Sequence, residues 1–185
     1  MVRYTRFEFH RRQIQECIMS ENKKKFIGRK FGALHRSREL AVQFLCSLDI
    51  CPAQDFEQSI ELFLNLDDIS QNDSPEVKAR CRTLSAEVCR RKSEIDGILL
   101  RVVTGWRPER MVSVDRTILR LMVLEGFMLK SLPVKSAIAE AGTLANDYGT
   151  KDSARFVNGV MYKAAKFFEA EEVTPQEKIE SLQEA

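Results

Sequence analysis

Residues 114–129 read VDRTILRLMVLEGFML, and ten of the sixteen are apolar. The run is long and rich in helix formers, which predicts a helix rather than a strand. At about 100° per residue, Arg116 and Arg120 share one narrow arc, and apolar side chains fill most of the remaining circumference. A helix apolar on nearly all sides is buried on most of them, so the other helices should pack around it. Glu125 lies away from the basic arc. A buried carboxylate must be paired or neutralised, so a partner from another helix is expected.

Outward from this stretch, helical periodicity recurs on both sides. Ser37, Leu40, Ala41, Phe44, Leu45, Leu48 and Cys51 mark one face of a helix from about Arg36 to Ile50, ended by Pro52. A second helix spans about Gln54 to Leu66, with Phe56, Ile60, Phe63 and Leu64 on one side. Asp67-Asp68 to Asn72-Asp73 reads as a polar loop. Ser74-Pro75 is a helix start, with Ser at the cap and Pro at the first position. Val77, Cys81, Leu84 and Val88 follow, and Ile95, Ile98, Leu99 and Val102 continue the period, as one long helix or two joined near Lys92-Ser93. Gly105, Trp106 and Pro108 break it. Beyond the central helix, Ser131-Leu132-Pro133 opens a helix lined by Val134, Ala137, Ile138, Ala141, Leu144, Ala145 and Tyr148. Gly149 is expected as its left-handed stop. Thr150 or Asp152 caps a last helix that presents Val157, Val160, Met161, Ala164 and Phe168. Gly159 interrupts it at a cost of about 1 kcal/mol, which close approach of a neighbouring backbone would explain. From Glu169 the composition is acidic and polar, a frayed tail.

No strand pattern competes. The fold class is all-α, a helical bundle of about six to seven helices in two small subdomains around the buried central helix. The expected divisions are a basic, mobile arm at 1–33, a helical domain at 34–170 (subdomains 34–104 and 109–170), and an acidic tail at 171–185. Met19 within the arm is an alternative translation start to Met1.

The 185 residues carry 44% apolar and 30% charged residues, as a water-soluble globular chain does. No apolar run reaches membrane-spanning length, and the first twenty residues lack a signal sequence's apolar core. Five cysteines, none spaced C-x-x-C, fit small apolar residues in a reducing cytosol, so the expected location is cytoplasmic. The net charge of +2 conceals an asymmetry: residues 1–38 carry +8 and the remainder −6. A basic arm on a mildly acidic body suits a polyanion; a disordered solubilising tail is the alternative. Arg36 and Arg38 in the first turn of their helix oppose its dipole, so an external anion would offset a local cost. Arg90, Arg91 and Lys92 form a second basic cluster, either a solvated face or a binding patch.

Phosphate-binding loops are absent. The two histidines, His10 and His35, lie in the arm or at its end, and no Cys/His cluster has zinc spacing. No base stands near a nucleophile in a core segment. A non-enzyme is expected.

Four segments together resemble the NusB family of bacterial transcription antitermination factors. They are RSRELAVQFL at 36–45, VDRTILRL at 114–121 followed by Glu125, LPVKSAIAEA at 132–141 and FVNGV at 156–160. The resemblance covers about residues 34–168 in the family's order. It implies a helical protein of two small bundles that binds the single-stranded boxA element of nascent ribosomal RNA together with NusE, a small-subunit ribosomal protein. The pair joins RNA polymerase and other Nus factors. Neither catalysis nor cofactor is implied. In the family an Arg-rich N-terminus entering the first helix contacts RNA. Here Arg36 and Arg38 match it, while Leu34 and His35 occupy two positions that are often Arg. Lys23, Lys24, Lys25, Arg29 and Lys30 of the arm would make up the charge. Aromatic positions at the ends of the last two core helices correspond to Tyr148 and Phe156, with Asp152 on the loop between. Cys46 stands where an aromatic is common. Single-stranded RNA is held by cations on phosphates and by bases stacked on rings, but Tyr148 and Phe156 equally suit a core role. The alternative from another class is a NusB-like helical adaptor, or the RNA-binding module of a ribosomal RNA methyltransferase. The latter would need a cofactor-binding domain for which these 185 residues have no room.

Overall fold

The computed structural model describes residues 32–105 and 107–172. These form eight α-helices and no strands: α1 (Ala33–Ile50), α2 (Phe56–Leu64), α3 (Asp67–Asn72), α4 (Pro75–Arg90), α5 (Lys92–Val102), α6 (Ser113–Val123), α7 (Val134–Tyr148) and α8 (Ser153–Glu172). Two compact units divide between Arg90 and Arg91. That differs from the expected break after residue 104, because α5 packs on α6 and α8 and so belongs to the second unit. The arm through residue 31, with the alternative start at Met19, and the tail from 173 lie outside the described residues. The helical part of the tail does not fray at Glu169; α8 continues to Glu172.

In the first unit, α4 packs along α1 and α2 against α4. Leu40, Ala41 and Phe44 of α1, Ile60 and Phe63 of α2, and Cys81 and Leu84 of α4 are all buried. Phe44 contacts Phe56 edge-on at 5.6 Å and Phe63 at 5.4 Å, pairings worth about 0.5–1.5 kcal/mol each beyond their buried area. Burial pushes the Cys81 thiol up to about 12, so it is an inert apolar filler. Asp55 caps α2 by accepting the Gln58 N–H at 3.0 Å. Residues 67–72, expected as loop, are helical. Asp67 and Asp68 favour a helix start by complementing its dipole, and Ile69 anchors the turn in the core. The joint after Arg90 resolves the one-or-two-helix alternative as two. Arg90 and Arg91 there bind Glu87 and Glu94 on the surface, at distances down to 2.6 and 2.8 Å. Two of the three cations in the second basic cluster are thus paired with acids three residues away.

The second unit is built on the central stretch. Every residue from Thr117 to Phe127 is buried, and α5, α7 and α8 of this unit pack against α6. The helix is regular only to Val123; Leu124–Met128 form a π turn, closed by Leu129 N–H donating to Leu124 O at 2.8 Å. The two arginines of the basic arc are answered differently, one by a distant carboxylate and one by nearby backbone carbonyls. Arg120, 5% exposed, donates to both oxygens of Asp96 on α5, at 2.9 and 2.7 Å. Arg116 caps the preceding 3₁₀ turn through Pro108 O and Met111 O. Glu125 is fully buried.

Two glycine expectations change. Gly149 ends α7 with φ −92°, not in the left-handed region. It is needed because a Cβ there would lie 2.4 Å from Ser153 Cβ and 2.5 Å from Ala145 O. Gly159 receives no close neighbour: a Cβ there would meet nothing within 4 Å. The tight helix crossing is made instead by Gly142 of α7, where a Cβ would come within 2.7 Å of Asn158 Oδ1 on α8.

Candidate nucleic-acid interface

The expected contact residues fall into both units, and each set is described where it lies. In the first unit, α1 begins at Ala33 after Gly32. Its first turn has no acidic residue, so its exposed N–H groups and its cations repel one another. The fold answers this from within. Arg36 donates Nε–H and Nη2–H to the two carboxylate oxygens of Asp73, at 2.8 and 2.9 Å, and Nη1–H to Glu39 at 3.3 Å. This bidentate fork is the strong geometry for arginine and carboxylate. Burial alone would lower the Arg36 pKa, but Asp73 and then Glu39 outweigh it and hold the guanidinium above the ordinary arginine range. The anion expected from outside is thus Asp73, 37 residues away in the chain. His35 is buried, with Nε2 3.7 Å from Glu39 Oε1. Arg38 is 4% exposed. Of the three, Arg36 ties the start of α1 to Asp73 before α4, while His35 and Arg38 are buried beside it. Lys23, Lys24, Lys25, Arg29 and Lys30 lie outside the described residues.

In the second unit, Tyr148 ends α7 half-buried, and the connecting turn leads through exposed Asp152 into α8. Thr150 N–H donates to Ser153 Oγ at 2.8 Å while Ser153 N–H donates to Thr150 O at 3.1 Å. Asp152 immediately precedes the helix, and its carbonyl accepts the Phe156 N–H at 3.1 Å. Of the two readings for Phe156, the structure takes the outward one. Val157 turns fully into the core, and Phe156 stays 37% exposed. A ring at a helix start, near a tight turn and an exposed carboxylate, offers a flat apolar face to solvent. Such a face suits stacking by a planar group.

Comparison with known proteins then decides the family. The NusB family model matches residues 35–166. The chain belongs to the NusB family. Two relatives, both called transcription antitermination protein NusB, make the extent clear. That of Desulforudis audaxviator is 37% identical over 76% of this chain and 97% of its own length. That of Bdellovibrio bacteriovorus is 34% identical over 74% and 98%. Among solved structures, NusB of T. maritima superposes with a TM-score of 0.64 at 30% identity, covering 82% of this chain and 99% of that one. A structure described as antitermination factors NusB and NusE in complex with dsRNA shares the fold, with a TM-score of 0.62 at 24% identity, covering 74% and 98%.

Within this NusB-family fold, the sequence reading missed exposed residues further along α8. Tyr162 is 61% exposed, and Lys163 and Lys166 are exposed beside it. The signal was available: their positions fall opposite the buried stripe of Val157, Val160, Met161 and Ala164. No helix among the described residues is long and apolar enough to cross a membrane, and no cluster of His, Cys, Asp or Glu among them would hold a metal ion.

Proposed function

We propose that this protein is an RNA-binding transcription antitermination factor. It takes the single-stranded boxA-type element of nascent ribosomal RNA together with a NusE partner, and through that pair joins RNA polymerase and other Nus factors. It works in the cytoplasm, without catalysis or cofactor. Family membership supports the role, and the observation that carries the site is Phe156, a large ring left more than a third exposed although its neighbour Val157 is core. In this reading a base stacks on Phe156, with Tyr148 flanking the site. Asp152 accepts hydrogen bonds from base amino groups. The basic arm, from Lys23 to Lys30, meets phosphates. His35, Arg36 and Arg38 serve indirectly, by holding the start of α1 from which the arm departs.

The test is a titration of the full chain, with and without NusE, against boxA-like RNA and a scrambled control at two salt concentrations. Affinity should fall with salt as phosphate contacts are screened, and the two RNAs should separate through base contacts. Equal affinity for both in the presence of NusE overturns the reading. So does failure to bind either.

A further inference from the structure

The outward face of α8 carries a pattern that the site around Phe156 does not account for. At about 100° per residue, Arg155, Phe156, Gly159, Tyr162, Lys163 and Lys166 fall in one sector about 120° wide and about 16 Å long. All six are exposed. No acid occurs from Ser153 to Phe168, and acids return only at Asp152 and Glu169, one beyond each end. Among the described residues no ion pair engages Arg155, Lys163 or Lys166. The stripe thus sets two rings among three cations, with a gap at Gly159 between the rings.

Gly159 is the second, independent observation. Glycine in mid-helix costs stability, and here it gains no packing in return, since a Cβ would meet nothing within 4 Å. What glycine does at this position is lower the surface between the two rings, so that a flat body can lie close to the helix backbone. Rings and an arginine serve protein interfaces as well, but Lys163 and Lys166 count against a protein partner, because the centres of such interfaces are depleted in lysine. A single strand of nucleic acid fits well: its phosphates meet Arg155, Lys163 and Lys166, and its bases have two rings to stack on.

We infer, resting on the RNA-binding reading above, that the RNA track does not stop at Phe156 but runs on along α8, over Gly159, to Tyr162, Lys163 and Lys166. The residues at the far end engage nucleotides flanking the recognised element. Their contribution is to affinity and length dependence and not to the choice of sequence.

The experiment compares two fluorescent RNAs, a short boxA-like strand and the same strand lengthened by a few uridines at each end, on the full chain with NusE. The wild type should bind the longer strand more tightly. Tyr162→Ala should cut that gain by about fivefold or more. Lys163→Ala with Lys166→Ala should flatten the log–log salt dependence by about 1.4. Both variants should leave the short strand's affinity as it was. These side chains are exposed, so circular dichroism should be unchanged. The inference is overturned if the wild type gains nothing from the longer strand, or if the variants keep the gain. In either case Phe156→Ala still weakening the short strand means that only the extension has failed. Loss of NusE binding with RNA affinity intact also overturns it, since the stripe would then be a protein surface. No binding of either strand by the wild type overturns the RNA-binding reading and the extension together.

Discussion

The start of α1 and the outer face of α8 are both basic, and the fold treats them in opposite ways. At α1, Arg36 is forked onto Asp73 and touches Glu39, while His35 and Arg38 are buried. At α8, Arg155, Lys163 and Lys166 stand in solvent alongside Phe156 and Tyr162. The difference lies in where the fold supplies acids. Asp73 is brought to Arg36 from the turn before α4, whereas α8 offers none between Ser153 and Phe168. Counting cations along a chain therefore does not tell a cation held by the fold, such as Arg36, from one left in solvent, such as Lys163.

The largest effect should come from the closed region. Arg36→Ala leaves Asp73, its side chain only 5% exposed, without its bidentate partner. Stranding a buried charge costs about 3–5 kcal/mol, and the desolvated position of Asp73 puts this pair in that range. Urea denaturation should register the loss as a lowered midpoint with an unchanged slope. A change below about 1 kcal/mol would class the pair with exposed ion pairs and dissolve the contrast between the two regions. Any fall in RNA affinity in the folded fraction should come without a change in its salt slope, because Arg36 acts through the position of α1 and not on phosphate.

At the open region the effect should appear in binding and spare stability. Phe156→Ala removes a stacking surface worth about 1–3 kcal/mol of RNA affinity. The ring is more than a third exposed, so the melting temperature should move little. A large fall in melting temperature with normal affinity in the folded fraction would return Phe156 to the core and make the two regions alike.

Much of this was legible in the chain itself. Residues 114–129 announce a buried helix because apolar side chains surround it, and burial of every residue from Thr117 to Phe127 bears that out. What periodicity does not carry is partnership across distance. Asp96 for Arg120 and Asp73 for Arg36 lie 24 and 37 residues away, and no local pattern selects them from the other carboxylates. The helix at Asp67–Asn72 was hidden for a different reason. Its six residues are nearly all polar, and one buried side chain, Ile69, cannot establish a period. The buried stripe of α8 does not by itself point to Tyr162 and Lys166, although the opposite face follows from the same count.

Two glycines on facing helices bring the comparison to its finest scale. Gly142→Ala places a methyl 2.7 Å from Asn158 Oδ1. The short Asn158 side chain must then shift within the α7 and α8 contact, so overpacking should cost about 1 kcal/mol or more. Gly159→Ala adds the same methyl where nothing lies within 4 Å. It should recover the propensity that glycine forfeits, raising stability by about 1 kcal/mol and the melting temperature by about 2–4 °C. The same chemical change, one helix apart, thus takes opposite signs, and differential scanning calorimetry of both variants reads them directly. If Gly159→Ala destabilised the protein, the outer face of α8 would be packed against something within the chain, and its residues would be no more open to a ligand than those at the start of α1.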